Sequence, residues 1–173
     1  MEDRVADLRS RWTPEATAAA VAFLESRPTN FDLPTMEQGG VTYLDLGGLR
    51  VEQTQIDKAF LRNVNLRWAV FRDVGFKDAR FAGCNLSQVQ FQECYLRRAK
   101  FEKCDIVNSR FESCDFSQAS IVESRVDFSS FRNCEIGLDA IRETPPRRRS
   151  PPASSVPAGL LPGLPCRLPV VIQ

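Results

Sequence analysis

The chain has 173 residues, with 12 Phe, 6 Cys and no His, and 23 Lys plus Arg against 22 Asp plus Glu give a net charge of +1. That length suits one domain of ordinary size, and the charge balance argues against both a wholly acidic chain and a strongly basic nucleic-acid coat. Without His there is no His general base, no Ser/His or Cys/His nucleophile pair, and no ligand set for most zinc or haem sites.

In chain order, the first segment reads as helical. Thr13 is a good N-cap, Pro14 fits the first helical position, and Glu15 favours the positive end of the dipole. A helix is therefore expected from Pro14 to Arg27, stopped by Pro28. Thr29 to Gly40, with Pro34 and Gly39-Gly40, reads as a connector. The acidic start Met1-Glu2-Asp3-Arg4 lacks the form of a secretory signal, and no run of about 18 apolar residues suggests a membrane span. A cytoplasmic location with reduced thiols is the expectation.

The middle of the chain repeats every five residues. Stepping by five from Leu46 to Ile141 meets a large apolar residue at every position, among them Val51, Leu61, Phe71, Phe76, Phe81, Phe91, Phe101, Phe111, Phe116 and Phe131. Two residues before each lies a mostly small one, including Ala79, Cys84, Cys94, Ala99, Cys104, Ser109, Cys114, Ser129 and Cys134. The other three places in each five are mostly polar. Such a period fits neither a helix nor a strand. It fits a chain that turns a corner every five residues, pointing one large and one small side chain inward, with successive coils stacked at strand spacing. Beyond the repeats, residues 143–173 carry eight of the 11 prolines and the basic run Arg147–Arg149, and read as a disordered tail.

Runs such as Val64-Asn65-Leu66, Ala79-Arg80-Phe81, Cys84-Asn85-Leu86, Ala99-Lys100-Phe101 and Cys114-Asp115-Phe116 resemble the pentapeptide-repeat family. The resemblance spans about residues 46–141. It implies an all-β solenoid, a right-handed quadrilateral β-helix with four repeats per coil, here about five coils and roughly 24 Å of stack. The expected organisation is an N-terminal helical cap and connector (1–38), the β-helix (39–142) and the Pro-rich tail (143–173). The helix is expected to close the first coil with Val21 and Leu24 inward.

With twenty residues per coil, positions twenty apart stack. Phe71, Phe91, Phe111 and Phe131 then form one aromatic core column. The cysteines fill small inward slots rather than a metal site, since their spacing is not C-x-x-C. Neither a cofactor nor a metal is expected. Opposite charges fall twenty apart in Asp78/Arg98, Lys103/Glu123, Asp105/Arg125 and Glu112/Arg132, which reads as a solvated surface. One corner departs from this: Lys77, Arg80, Arg97, Arg98 and Lys100 face only Asp78, making it the candidate anion or partner contact. Val107 and Phe128 are a candidate apolar partner surface. The last coil, near Ile136 to Ile141, is a candidate homodimer contact because an uncovered solenoid end exposes strand edges.

Neither a dinucleotide fingerprint nor a phosphate loop is present, and no concave site gathers the carboxylates, so catalysis is not expected. The leading function is a non-catalytic scaffold that binds a protein partner. The resemblance also supplies an alternative, a DNA-mimic inhibitor or protector of gyrase, which the balanced charge disfavours. Nucleic-acid or anion binding through the basic corner is the third reading.

Overall fold

The computed structural model describes residues 2–26, 33–136, 141–142 and 171–172. From Arg50 onward the chain winds through about five stacked coils. Their strands pair in parallel, and the partners lie 20 residues apart. On one face Val51, Phe71, Phe91, Phe111 and Phe131 are successive partners. On a second, Leu61, Phe81, Phe101, Ile121 and Ile141 are. Bridges Gly75–Tyr95–Asp115 and Asn65–Asn85–Asp105–Arg125 hold the remaining two faces.

The corners show why the period is five. Turns close with bonds such as Ala69 N to Leu66 O (3.0 Å) and Ala79 N to Phe76 O (3.0 Å). Every fifth residue from Gly48 to Asn133 holds a positive φ, and only Gly48 and Gly83 among them are glycines. The left-handed conformation costs about 1–2 kcal/mol in an ordinary residue, yet it turns the chain sharply enough to start the next face. Its N–H then donates to the following coil: Asp78 N to Arg97 O (3.0 Å), Gln88 N to Val107 O (2.8 Å) and Arg98 N to Ser117 O (2.9 Å).

The large inward series fills the interior completely. Phe71, Phe91, Phe111 and Phe131 stack with centroids 5.0, 5.1 and 4.6 Å apart. Phe81 and Phe101 form a second stack at 4.6 Å. Phe76 meets Phe71 and Phe91 edge-on, as Phe116 meets Phe111 and Phe131, so ring edges face the rings of the first column.

Two helices and a hairpin precede the stack. Helix α1 spans Glu2–Ser10 and α2 spans Pro14–Ser26. Thr13 caps α2 through its Oγ1, which accepts from Ala16 N (3.2 Å). Ala20 and Leu24 are fully buried, with Val21 partly buried against the same core. The segment read as helical holds two helices where the sequence bounded one; α1 reaches the stack at Gly48, where a Cβ would lie 3.1 Å from that of Leu8. Strands β1 (Thr35–Gln38) and β2 (Val41–Asp45) form an antiparallel hairpin around Gly39-Gly40, both at positive φ. The segment read as a connector therefore ends in a strand, and the expected boundary between residues 38 and 39 divides a hairpin whose halves share backbone bonds. The Pro-rich tail lies outside the described residues, apart from Val171–Ile172, a short strand paired with Ser130–Phe131.

A half-buried ion pair ties the helices to the first coil. Arg11 Nη1 donates to Asp45 Oδ2 (2.7 Å) and its Nη2 to Gly47 O (2.8 Å), while Trp12 Nε1 also donates to Gly47 O (2.9 Å). Asp45 Oδ1 accepts from Asn65 Nδ2 (2.6 Å) and Gly47 N (3.1 Å). Burial alone would push the Asp45 carboxyl up, but Arg11, the Gly47 N–H and Asn65 together hold it below its ordinary 3.8.

Two outcomes follow from this packing. Phe91→Ala removes a ring stacked on both sides and is expected to lower stability by about 3–5 kcal/mol, read by urea unfolding; an unchanged midpoint would overturn the register. The depressed Asp45 carboxyl confers stability that is whole above its unfolded pKa and lost as pH falls through the lower, folded one. The gap in thermal stability between the native chain and Asp45→Asn should therefore be full above the ordinary carboxylate range and shrink as pH falls below 3.8. A constant gap across that range would refute the assignment.

Candidate functional site

The basic corner lies where the face of Phe76 and Leu96 turns into the face of Phe81 and Phe101. Within each coil, the second and third turn residues and the first residue of the next strand point outward there. The stack therefore places Lys77, Asp78 and Arg80 directly against Arg97, Arg98 and Lys100 of the next coil.

Pairing divides these charges. Arg98 grips Asp78 with two bonds, Nε to Oδ1 (2.5 Å) and Nη2 to Oδ2 (2.6 Å), and this fork holds the Asp78 carboxyl below its usual range. Arg80 is also engaged: its Nη2 donates to Glu102 Oε2 (2.6 Å), and its guanidinium lies 5.5 Å from the centre of the Phe60 ring. The sequence reading counted Asp78 alone against the five cations. Glu102 escaped it because that partner is 22 positions away, a diagonal contact rather than a stacked one. Lys77, Arg97 and Lys100 remain exposed and make no ion pair among the described residues. Lys58, one coil earlier on the same corner, joins them.

Beside these cations lies a shallow depression of about 350 Å³ lined by Gln55, Asp57, Lys77, Tyr95, Arg97 and Asp115. Its shape starts from Gly75. A Cβ there would lie 1.8 Å from Gln55 Oε1, so the missing side chain lets Gln55 fold across. Asp57 is already committed, accepting from the backbone N–H of Lys77 (2.8 Å). Asp115 accepts from Ser117 N (2.8 Å) and the Ser117 hydroxyl. Tyr95 is 52% exposed and lines this depression together with Lys77 and Arg97. Its place twenty positions from Gly75 and two from Arg97 is the sequence signal for it.

Val107 and Phe128 lie on the opposite corner, so the two candidate surfaces do not meet. Phe128 is 65% exposed and holds a φ of 58°, unusual for an aromatic. Trp68 occupies the same turn position three coils earlier at φ 60°, but its Nε1 donates to Gln88 Oε1 (2.7 Å) and the Arg67 guanidinium covers its ring at 3.9 Å.

The inward cysteines have a role beyond filling space. Each thiol reaches the carbonyl of a large core residue in the coil before: Cys84 to Leu61 O (3.4 Å), Cys94 to Phe71 O (3.4 Å), Cys104 to Phe81 O (3.4 Å), Cys114 to Phe91 O (3.5 Å) and Cys134 to Phe111 O (3.5 Å). Ser109 does the same to Leu86 O (2.7 Å). The neighbouring thiol and burial push Cys104 and Cys134 up, leaving them protonated and poor nucleophiles at neutral pH. Among the described residues no cluster of Cys, Asp or Glu could hold a metal ion, and no helix is long and apolar enough to cross a membrane.

A five-residue repeat with 20-residue coils, large and small inward positions and a turn at each corner is what the comparisons with known proteins match. The family model for pentapeptide repeats (8 copies) fits residues 52–88 and 76–112. The coils are pentapeptide repeats. Among solved structures, the pentapeptide-repeat protein Rfr23 from the cyanobacterium Cyanothece 51142 is 11% identical, with a TM-score of 0.36 over 58% of this chain and 91% of that one. A trypsin-treated form of QnrB1, a plasmid-mediated fluoroquinolone resistance protein, is 14% identical, with a TM-score of 0.37 over 50% of this chain and 60% of that one. A pentapeptide-repeat protein from the Arabidopsis thaliana thylakoid lumen is 13% identical, with a TM-score of 0.26 over 53% of this chain and 68% of that one. No curated protein matches the sequence.

Strain at Phe128 is directly measurable. Within the pentapeptide-repeat stack Phe128→Asn should raise stability by about 1 kcal/mol, because Asn tolerates the left-handed turn, while Phe128→Val should lower it. The melting temperatures should rank Asn, Phe, Val; a drop for the Asn variant would show that the ring packs against something in the folded chain.

Proposed function

We propose that this pentapeptide-repeat chain is a non-catalytic scaffold that binds an acidic protein partner through the corner bearing Lys77, Tyr95, Arg97 and Lys100. The observation that carries the reading is the exposed Tyr95 ring sharing one depression with Lys77 and Arg97, whose neighbouring carboxylates Asp57 and Asp115 are already engaged. Aromatic and Arg side chains dominate the energetics of protein interfaces, and unpaired charge speeds encounter with a complementary surface. The rigid stack supports the reading: its corners are fixed by backbone bonds, so little order is lost on binding. Reduced, buried thiols suit the cytoplasmic setting expected from the sequence.

Charge argues against a DNA mimic of gyrase. Such a surface needs rows of unpaired anions, whereas Asp78, Glu102, Glu123 and Asp105 each face a cation at 2.5, 2.6, 3.6 and 3.6 Å. Direct nucleic-acid binding uses the same cations but gives a steep salt dependence with duplex DNA as probe.

The test compares partner capture by the native chain, the Lys77→Glu/Arg97→Glu double variant, Tyr95→Ala, and an Arg132→Glu control elsewhere on the stack. Loss of about tenfold or more in affinity for the corner variants, with the control unchanged, is the expected result. Equal capture by all four would discard this corner, and salt-sensitive binding of duplex DNA would replace the protein partner with nucleic acid.

A further inference from the structure

The end of the stack beyond Phe131 poses a problem that the repeat itself does not solve. Each strand on the Phe71 face is covered by the strand twenty residues later. For Ser130–Arg132 those residues are Ser150, Pro151 and Pro152. Proline has no N–H to give a ladder and is confined to the margins of sheets. The five-residue pattern also fails there, since stepping on from Ile141 meets Pro146 and then Pro151. Continuing to wind would cover this edge with two prolines that have no N–H to give.

Another segment takes the place. Val171 pairs with Ser130 and Ile172 with Phe131, in parallel, so Ile172 stands at the register position that a further coil would have given to Pro151. The sequence suits this: Val170-Val171-Ile172 is a run of three β-branched residues, the kind most at home in strands, in a stretch otherwise rich in proline. We infer that the edge at Ser130–Arg132 is a strand-acceptor site, and that its resident occupant is Val171–Ile172 of the same chain. Val171–Ile172 is joined to the stack by covalent chain, and such linkage raises a strand's local concentration to about the millimolar range, which favours capture within one molecule over capture from another. The site recognises an extended, β-branched segment through main-chain bonds, the chemistry of strand addition. The covered edge therefore guards the place where a second copy would otherwise stack.

Hydrogen exchange on the 173-residue chain tests this, comparing the native sequence with the Val171→Pro/Ile172→Asp variant. The inference expects the amides across Ser130–Arg132 to exchange about tenfold or more faster in the variant, while those across Arg110–Glu112 keep their native rates and report an intact stack. A synthetic peptide of residues 168–173 added to the variant should restore the slow rates, and the same peptide carrying the Pro and Asp changes should not. Identical exchange at Ser130–Arg132 in both chains would overturn the site. Protection in the native chain that fades on dilution, with a dimer by light scattering, would overturn the same-chain occupant in favour of a second copy.

Discussion

The parallel backbone ladder between coils, with partners always 20 residues apart, is the constraint on which the rest depends. A ladder of that offset can close only if the chain turns four times per coil. Each turn forces one residue into the left-handed region, a conformation that ordinary side chains resist. Sixteen non-glycine residues in the described chain accept it, and through most of the stack, from Lys58 to Ser113, the N–H of the strained residue finds its acceptor in the next coil. The strain is local and the compensation lies one layer away, so a coil is stable only as a member of a stack.

The core and the surface both inherit this repeat. Inside, rings recur at the stacking distance, so Phe71 to Phe131 become one column, and Phe76 and Phe116 plug it edge-on. The small slot repeats too, and there Cys and Ser give a hydrogen to the carbonyl of the coil before. Outside, side chains twenty apart become neighbours, which explains why Arg98 finds Asp78 and Arg125 finds Asp105. The unpaired cations beside Tyr95 are what remains after that pairing, and they are the part of the surface that the stack's own energetics leave unused.

The coils, their inward residues and three of the four expected stacked charge pairs were legible in the sequence because each depends on a strict repeat; Glu112 and Arg132 stack without forming an ion pair. What escaped notice depends on departures from it. Glu102 reaches Arg80 diagonally, so no fixed offset announces it. Glycine at 75 deletes a side chain and reshapes the surface for Gln55 and Tyr95, an effect invisible until the neighbours are in place. Reading the cysteines as small apolar fillers captured their size and missed their hydrogen bond; the serines at 109, 124 and 129 in the same slot were the hint that a donor is wanted there. The strand β1 and helix α1 lie before the repeats and are positioned by tertiary contacts, Asn65 and Asp45 for the first coil and Gly48 for the helix, which no local pattern encodes.

The unbroken series of left-handed corners has a consequence for how such a chain can change length. Gaining or losing one residue anywhere between Gly48 and Asn133 would put every later corner out of step and exchange inward for outward side chains along the remainder. Gaining or losing a whole coil would leave each corner where it was and simply move the far end along the axis. Length in this architecture is therefore granular, and variation of the solenoid should come in blocks of one full circuit while its four corners keep their alignment.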